Sequence, residues 1–248
     1  MRKITNSFLI VLSFISIIPA YVPSWTAENL RYFCVMLPIV GVIFGAFWLM
    51  SFHVLGMLAG LSSFLRGFMM MILTLALTGG LHLDGLMDTS DAIFSHRDRE
   101  TRLRILSDTH AGSFAVMACV ITLMLKALLF SELFTQNISG YFLYLVPIFS
   151  RFGMAVLLNN LPFAKSNGLA VILGSSRNKR DNIFLVIMFA ALSIVSMKII
   201  PAMMILCVIL HVIICVKIFG GITGDLLGAF VEASEVIMLF GTVIMICI

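Results

Sequence analysis

The chain has 248 residues, of which 61% are hydrophobic and only 11% are charged, with a net charge of +4. A soluble globular domain carries about 25% charged residues, so this composition excludes one and predicts an all-α, polytopic integral membrane protein. Long, continuous apolar runs exclude a β-barrel, and the absence of a basic stripe with interleaved aromatic residues excludes a nucleic-acid partner.

The amino-terminal apolar segment, Phe8–Ile18, follows Arg2 and Lys3 but precedes no small-residue cleavage site. We therefore expect it to be retained as a short or interfacial helix. A full first span is the alternative, because only the length rule of about 20 residues separates the two structures.

Further apolar runs predict about six to seven transmembrane helices, with short interfacial helices, in one domain over residues 1–248. Arg66 interrupts the second run, and the last run is short enough that its helix is expected to begin earlier, near Phe230. The runs are Phe33–Met50, Gly56–Leu81, Phe114–Phe134, Tyr141–Leu161, Ile183–Ile200, Ala202–Phe219 and Val236–Ile248.

Two clusters of basic residues predict the orientation of these helices. Two predicted spans separate the clusters, so both lie on one side, which the positive-inside rule assigns to the cytoplasm of a bacterial inner membrane. The uncharged segment Thr135–Gly140 is then external. Three polar segments, residues 82–113, 162–182 and 220–235, are expected to converge on the cytoplasmic face. The basic clusters are Arg97, Arg99, Arg102 and Arg104, and Lys165, Arg177, Lys179 and Arg180.

Six of the twelve acidic residues fall between Asp84 and Ser113. Asp84, Asp88 and Asp91 are spaced four and three residues apart, which places them on one face of a helix. Three carboxylates so close repel one another, and a divalent cation relieves that repulsion. The spacing therefore predicts a Mg²⁺ site that serves phosphates at the membrane surface. A solvated acidic face at a helix amino terminus is the alternative.

Two other residues of this segment have open roles. His82 is a candidate base or substrate ligand near neutral pH, or a structural hydrogen-bond partner. Asp108 is either a fourth acidic ligand or the cap of the following helix. Gly79 and Gly80 are expected to permit a kink or a close helix approach, and Gly85 to leave room for a ligand.

Arginine side chains suit phosphate because a guanidinium binds two oxygens at once. Arg97 and Arg99 are candidates for that role, whereas topology and lipid head groups are favoured for Arg102 and Arg104. Arg151 lies inside an apolar stretch, where an arginine is costly unless paired or functional, so we expect it to reach the active cavity.

The third polar segment reads G-G-I-T-G-D from Gly220 to Asp225. A glycine-rich turn that opens a helix presents backbone N–H groups to an anion, although a packed turn between helices is the alternative. Asp225 is a candidate cap, metal ligand or sugar ligand. Glu232 and Glu235 form either a second carboxylate pair or a solvated edge.

The remaining polar and sulfur-containing residues of the apolar runs need no function. Lys126 and Lys217 are expected to extend to an interface. The cysteines have no C-x-x-C spacing and are interpreted as small hydrophobic residues; they are Cys34, Cys119, Cys207, Cys215 and Cys247.

The segment G-G-L-H-L-D-G-L-M-D-T-S-D, Gly79 to Asp91, resembles the signature of the membrane cobalamin synthases, the adenosylcobinamide-GDP ribazoletransferases. The resemblance is collinear and covers nearly the whole chain. It continues at Arg97-Asp98-Arg99, Asp108-Thr109-His110-Ala111-Gly112, Ser150-Arg151, Phe163-Ala164-Lys165, Gly168-Leu169, Gly220 to Ala229, Glu232 and Glu235.

This resemblance implies a magnesium-dependent transfer of adenosylcobinamide phosphate from adenosylcobinamide-GDP to α-ribazole or its 5′-phosphate, with release of GMP. Asp84 and Asp88 would bind the metal, and Asp91 would be a further ligand or the base. His82 and Asp108 are the other catalytic candidates. The substrate-binding candidates are Arg97, Arg99, Arg151, Lys165, Thr223, Gly224 and Asp225.

The chain departs from the family pattern mainly where nucleotide would bind, so we expect nucleotide affinity to diverge. The arginine of an amino-terminal T-R-x-P element is absent from Ser16–Pro19, and the other differences are Arg104, Ser107, His110, Phe163 and Lys165. Two alternative functions are a CDP-alcohol-type phosphotransferase and a cation-coupled transporter. Besides its substrates the protein would contact membrane lipid, and a homo-oligomer is compatible with the sequence.

Overall fold

The computed structural model describes residues 2–136, 140–196 and 199–247, without the side chains of residues 195 and 247. These residues form helices and no β-strand, apart from one isolated bridge between Phe163 and Ile222. The elements are α1 (Arg2–Ile15), α2 (Phe33–Met57), α3 (Ser63–Thr78), α4 (Leu81–Phe94), α5 (Arg99–Ile105), α6 (Ser113–Thr135), α7 (Tyr141–Asn160), α8 (Leu169–Leu173), α9 (Asp181–Val195), α10 (Ile199–Ile213), a π-helix (Ile214–Phe219) and α11 (Gly224–Cys247).

The described helices form the predicted polytopic membrane bundle. Five of them are long and apolar enough to cross a membrane: α2, α6, α7, α10 with the π-helix, and α11. A sixth span results if α3 and α4 cross together, so the described residues form five or six spans, and six is the lower end of the prediction. The predicted external loop Thr135–Gly140 lies partly outside the described residues.

The predicted span Gly56–Leu81 is wrong in its boundaries. Its helix, α3, has 16 residues, and a bend of 92° separates α3 from α4. Gly79 and Gly80 form the bend, with φ of 60° and 78°, a left-handed conformation that glycine adopts without steric cost. The two glycines thus make the predicted kink, and α4 runs across the end of the bundle.

Two other predicted boundaries are also wrong. The run Ile183–Ile200 contains α9, which has 15 residues and is shorter than a full span. The last helix begins at Gly224 rather than near Phe230. Glu232 and Glu235 therefore lie within a membrane helix and not in a polar loop, because buried partners on other helices compensate their charge.

Helix α1 supports the interfacial interpretation of the amino terminus, since its 14 residues are too few for a span of about 20. Its first half contacts the segment before α2, where the Ser7 hydroxyl donates to the Asn29 carbonyl over 2.6 Å. Its end contacts the end of α3, where Ile17 N–H donates to the Leu77 carbonyl over 3.0 Å.

Glycines allow pairs of helices to pack in backbone contact. A Cβ at Gly41 of α2 would lie 2.9 Å from the Ile148 Cα of α7, and a Cβ at Gly45 would clash with the Tyr144 carbonyl oxygen. Gly67 of α3 meets the α6 backbone in the same way. Close approach through small residues is the usual means of helix association in lipid, where no hydrophobic force drives it.

Gly45→Leu should separate α2 from α7 and lower the free energy of unfolding by about 1–3 kcal/mol, because the side chain has no space at the Tyr144 backbone. Thermal unfolding of the detergent-solubilised protein measures this. Gly56→Ala is the matched control in the same helix, since a Cβ there meets no atom within 4 Å. Equal unfolding temperatures for the two variants would contradict the proposed packing.

Candidate functional site

The three polar segments meet at one end of the bundle, which we call the polar end. Ala164 N–H donates to the Ile222 carbonyl over 3.0 Å, and Ile222 N–H donates to the Pro162 carbonyl over 2.8 Å. The Lys165 ammonium lies 2.5 Å from the Ser107 hydroxyl. These contacts join residues 82–113, 162–182 and 220–224, as the sequence predicted.

At the polar end α4 crosses α11 in backbone contact. A Cβ at Gly85 would lie 2.7 Å from the Asp225 carbonyl oxygen, and a Cβ at Gly228 would lie 3.2 Å from the His82 carbonyl oxygen. The missing side chain of Gly85 makes room for α11, and the same glycine lines a small cavity beside Asp84, so the expected room for a ligand stays a prediction. This crossing brings the acidic face of α4 to Asp225.

The three aspartates of α4 have different surroundings. Asp84 is exposed, and Asp88 and Asp91 are partly buried. Burial raises the pKa of Asp88 to about 6, and the negative charges of Asp84 and Asp225 raise it further. The helix that carries the three aspartates, α4, is not one of the five long apolar helices, and the Asp84 side chain is accessible from outside the protein. The mutual repulsion of the carboxylates is the property expected of a cation site.

Asp91 caps helix α6. Its two carboxylate oxygens accept hydrogen bonds from Gly112 N–H (2.6 Å) and Ala115 N–H (2.9 Å). Of the two roles considered for Asp108, the cap of the following helix is wrong. The Asp108 side chain is exposed and accepts hydrogen bonds from the backbone and ring of His110, which lower its pKa.

His82 is buried, with 1% of its surface exposed. Burial lowers its pKa to about 3, and the positive charge of Arg151 adds to the effect, so the imidazole is neutral at physiological pH. Its Nε2 atom has no hydrogen-bond partner among the described residues. The ring lines a cavity of about 60 Å³ together with Asp84, Met154 and Asp225.

A second cavity, of about 190 Å³, adjoins the first and shares Leu169, Gly224 and Asp225 with it. Lys165 and Thr223 also line it. A larger apolar cavity of about 430 Å³ between α7, α9 and α10 is lined by no acidic residue. A cavity of about 520 Å³ beside α1 is lined by Lys3 and Glu28, which form an exposed ion pair with each other. The two smaller cavities instead bring carboxylates of two crossing helices together with Lys165, which makes them the candidate site.

The glycine-rich turn before α11 is largely engaged within the protein. Gly221 N–H donates to the Cys215 carbonyl over 2.8 Å, and Ile222 N–H is bonded to Pro162. The Thr223 hydroxyl accepts from Leu226 N–H and donates to Asp225, so Thr223 caps α11. The amides of Gly221 and Ile222 are therefore not free to bind an anion, and the packed-turn alternative describes this part of the turn.

The arginines before and within α5 differ in their contacts. Arg97 is exposed. Arg99 packs on Gly220, where its guanidinium occupies the position that a Cβ would take. Arg104 donates to the Thr101 hydroxyl over 3.1 Å within its own helix. Arg99 thus lies at the turn that leads to Asp225.

Arg151 lies in the interior and not on either cavity. It is 1% exposed, forms an ion pair with Glu235, and places its guanidinium 4.8 Å from the Phe44 ring. Its contact with substrate stays a prediction. In the structure its partner is the buried carboxylate of Glu235.

The sequence interpretation missed the partners of this arginine. Lys126 does not extend to an interface; its ammonium lies 2.6 Å from Glu232 and 2.7 Å from Glu235. The two glutamates are therefore no solvated edge. The sequence did contain an indication of these pairs: single charges of opposite sign lie in separate apolar segments. Such residues are usually stable within a membrane only when they pair with one another.

Within the described ranges, no three His, Cys, Asp or Glu side chains are arranged to hold a metal ion by themselves. The free cysteines Cys34, Cys119 and Cys207, with Cys215, also agree with the prediction of unpaired cysteines. The side chain of Cys247 lies outside the described residues.

Asp91→Asn should lower the free energy of unfolding by about 1 kcal/mol or more, because an amide cannot accept hydrogen bonds on both of its polar atoms. Calorimetric unfolding of the purified protein measures the loss. Asp108→Asn, whose side chain is exposed, is the control and should change stability little. A destabilised Asp108→Asn beside an unchanged Asp91→Asn would exclude the cap.

The fold and site define a polytopic membrane protein whose polar end brings carboxylates of two crossing helices together. The chain matches the family described as Cobalamin-5-phosphate synthase over residues 7–243. It therefore belongs to that family, and it is a membrane-embedded transferase.

Curated relatives agree with this family. An adenosylcobinamide-GDP ribazoletransferase of Clostridium botulinum (strain Alaska E43 / Type E3) is 30% identical over 97% of this chain and 98% of its own. One of Geobacillus thermodenitrificans (strain NG80-2) is 33% identical over 96% of this chain and 95% of its own. No solved structure matches the chain significantly.

Proposed function

We propose that this protein transfers adenosylcobinamide phosphate from adenosylcobinamide-GDP to α-ribazole or its 5′-phosphate, releasing GMP. Membership of the family and the name shared by the relatives, adenosylcobinamide-GDP ribazoletransferase, support this reaction. The structural observation that carries it is the crossing of α4 and α11, which brings Asp84 and Asp225 to one cavity and Asp225 and Lys165 to the adjoining one. Asp88 lies one helical turn after Asp84 and is close enough to Asp225 for their charges to interact. Phosphoryl transfer needs such positioning and charge compensation more than covalent catalysis.

In the proposed reaction the ribazole hydroxyl oxygen bonds to the phosphorus nearest the cobinamide. The bond from that phosphorus to the bridging oxygen breaks, and GMP leaves with the electron pair. The hydroxyl proton goes to a carboxylate of α4. Asp108 accepts hydrogen bonds from His110 that lower its pKa, and the neutral His82 is a weak base, so neither is the better proton acceptor.

The donor set fits Mg²⁺, which prefers oxygen ligands and binds through one or two carboxylates together with substrate phosphates. We propose Asp84 and Asp88 as its protein ligands, with Asp225 on the facing helix. Asp91 remains a candidate ligand through the free lone pairs of its capping carboxylate. When bound, the ion would neutralise the pyrophosphate charge.

Basic side chains around the cavities are proposed to bind the phosphates and nucleotide. Lys165 lies beside Thr223, Gly224 and Asp225 on the larger cavity, and Arg97 and Arg99 lie on the adjoining loop. The cavities are smaller than typical ligand pockets of about 300–1,000 Å³. Only the pyrophosphate end of the substrate would therefore enter, and the corrinoid would lie across the exposed polar end.

We place the polar end on the cytoplasmic side of a bacterial inner membrane. Both basic clusters lie at this end, on the segments that carry Arg97 and Lys165. Positive charge in short loops is retained on the cytoplasmic side. The nucleotide-activated substrate would then be bound from the cytoplasm.

Asp84→Asn should reduce GMP release from adenosylcobinamide-GDP by about 100-fold or more, because a metal ligand is lost. Its thermal stability should match that of the wild type, since the side chain is exposed. Purified protein in vesicles, with chromatographic detection of GMP, gives the rate. Full turnover by the variant would remove Asp84 from the mechanism, and wild-type activity on only a CDP-activated lipid would replace the proposed reaction.

Mg²⁺ activation should depend on pH. Because the pKa of Asp88 is raised to about 6, its carboxyl is protonated and uncharged below that pH and ionised above it. The Mg²⁺ concentration for half-maximal activity should therefore rise as pH falls from 7 to 5 and level off above pH 7. Asp108→Asn should leave this profile unchanged. A flat profile would exclude Asp88 as the titrating ligand.

A further inference from the structure

Four charged side chains form one network inside the bundle, away from the two cavities. They are Lys126 of α6, Arg151 of α7, and Glu232 and Glu235 of α11. None of these side chains is more than 6% exposed. The network joins three membrane helices through side chains alone.

Glu235 is the shared member of the network. One of its oxygens lies 2.7 Å from the Lys126 ammonium, and the other accepts from the Arg151 guanidinium. Lys126 also binds Glu232 over 2.6 Å. Ser150 extends the network, because its hydroxyl accepts from Arg151 over 2.9 Å and lies 3.4 Å from Glu235.

The network contains two positive and two negative groups, so its formal charge is zero. That balance matters because an uncompensated charge away from water is far more costly than a paired one. Removing one member leaves a net charge in the interior. The protein can reduce that cost by a change in protonation of a remaining member or by a movement of α11 that brings the remaining charge towards water.

The same helix carries the site. Glu232 is seven residues after Asp225, which is two helical turns or about 10 Å along α11. Between them Gly228 packs against the His82 backbone, at 3.2 Å from a would-be Cβ to the carbonyl oxygen. A shift or rotation of α11 at Glu232 is therefore carried to Asp225 and to the start of α4.

We propose that the charge balance of Lys126, Arg151, Glu232 and Glu235 fixes the position of α11 and thereby aligns Asp225 with Asp84 and Asp88. Lys126 and Glu232 are positioning residues in this account, since neither lines the two cavities. The test of this inference by GMP release rests on the proposed function. Its test by hydrogen exchange depends on the fold alone.

Single and double substitutions separate charge balance from the mere loss of a contact. Lys126→Met leaves an excess negative charge, and Glu232→Gln leaves an excess positive charge. Lys126→Met combined with Glu232→Gln restores neutrality and keeps the Arg151–Glu235 pair. The double variant has fewer contacts than either single variant, so recovery cannot come from added contacts.

The experiment measures kcat and KM for GMP release and hydrogen exchange at Leu226 and Leu227. The amides of these residues bond to Thr223 in the first turn of α11. We expect Lys126→Met to lower kcat by about 100-fold, as misplaced catalytic groups do, with little change in KM. The two amides should exchange faster. The double variant should recover most of both properties.

Arg66→Met is the matched control. Arg66 of α3 is another cation of the helical region, and its guanidinium lies 5.0 Å from the Phe134 ring. It is not a member of the network and lines neither cavity of the candidate site. This substitution should lower thermal stability without changing kcat or exchange in α11. Equal kcat losses in Arg66→Met and Lys126→Met would overturn the proposal.

Other outcomes are also decisive. A double variant no better than Lys126→Met, or wild-type kcat and exchange in Lys126→Met, would refute positioning by charge balance. If Lys126→Met fails to accumulate in membranes, Glu232→Gln and its rescue by Lys126→Met test the same claim. A wild-type protein without transferase activity would refute the proposed function, while the exchange data would still decide the network.

Discussion

Lipid solvates charge poorly, and this constraint governs the placement of the charged residues in the described part of the chain. Most charged side chains lie at the ends of the helices, where water reaches them. Four charged side chains lie inside the bundle and form ion pairs with one another: Lys126, Arg151, Glu232 and Glu235. One helix, α11, carries both the interior glutamates and Asp225, so the interior ion pairs and the site are joined by the same helix. The position of the site depends on how those pairs form.

Close helix packing is the second requirement for the site. Gly85 and Gly228 let α4 and α11 cross in backbone contact, and a side chain at either glycine would separate them. The separation would remove Asp225 from the acidic face of α4. The site therefore does not exist independently of the contact between these two helices. It is formed by the crossing itself, which also explains why the cavities are small.

The approach to α11 depends on unusual backbone geometry. The π-helix Ile214–Phe219 is followed directly by Gly220 and Gly221. Their positive φ values of 72° and 157° belong to the region of backbone conformation that favours glycine. The turn is fixed to residues 162–164 by two backbone hydrogen bonds. This attachment connects α7 and α11 at the polar end and places Lys165 beside Asp225.

Composition and charge were enough to predict an all-helical membrane protein, the convergence of three polar segments and the acidic face of α4. Those properties are local or additive, because apolar run length, loop charge and helical spacing can be read directly from the chain. The family signature, including Gly79–Gly80 and Asp84, also lies in contiguous residues. The conformational freedom of the two glycines allowed either a kink or a close helix approach, and the structure shows the kink.

Tertiary structure decided the rest. Three placements depend on which helices are neighbours. Asp91 caps α6, Arg151 faces Glu235 and not a cavity, and the space beside Gly85 is occupied by α11. Lys126 and Glu232 are 106 residues apart, and nothing local to either one identifies its partner. The same pairing allows α11 to continue without a break through Glu232 and Glu235, because a glutamate is stable within an apolar helix when a cation from another helix lies opposite it.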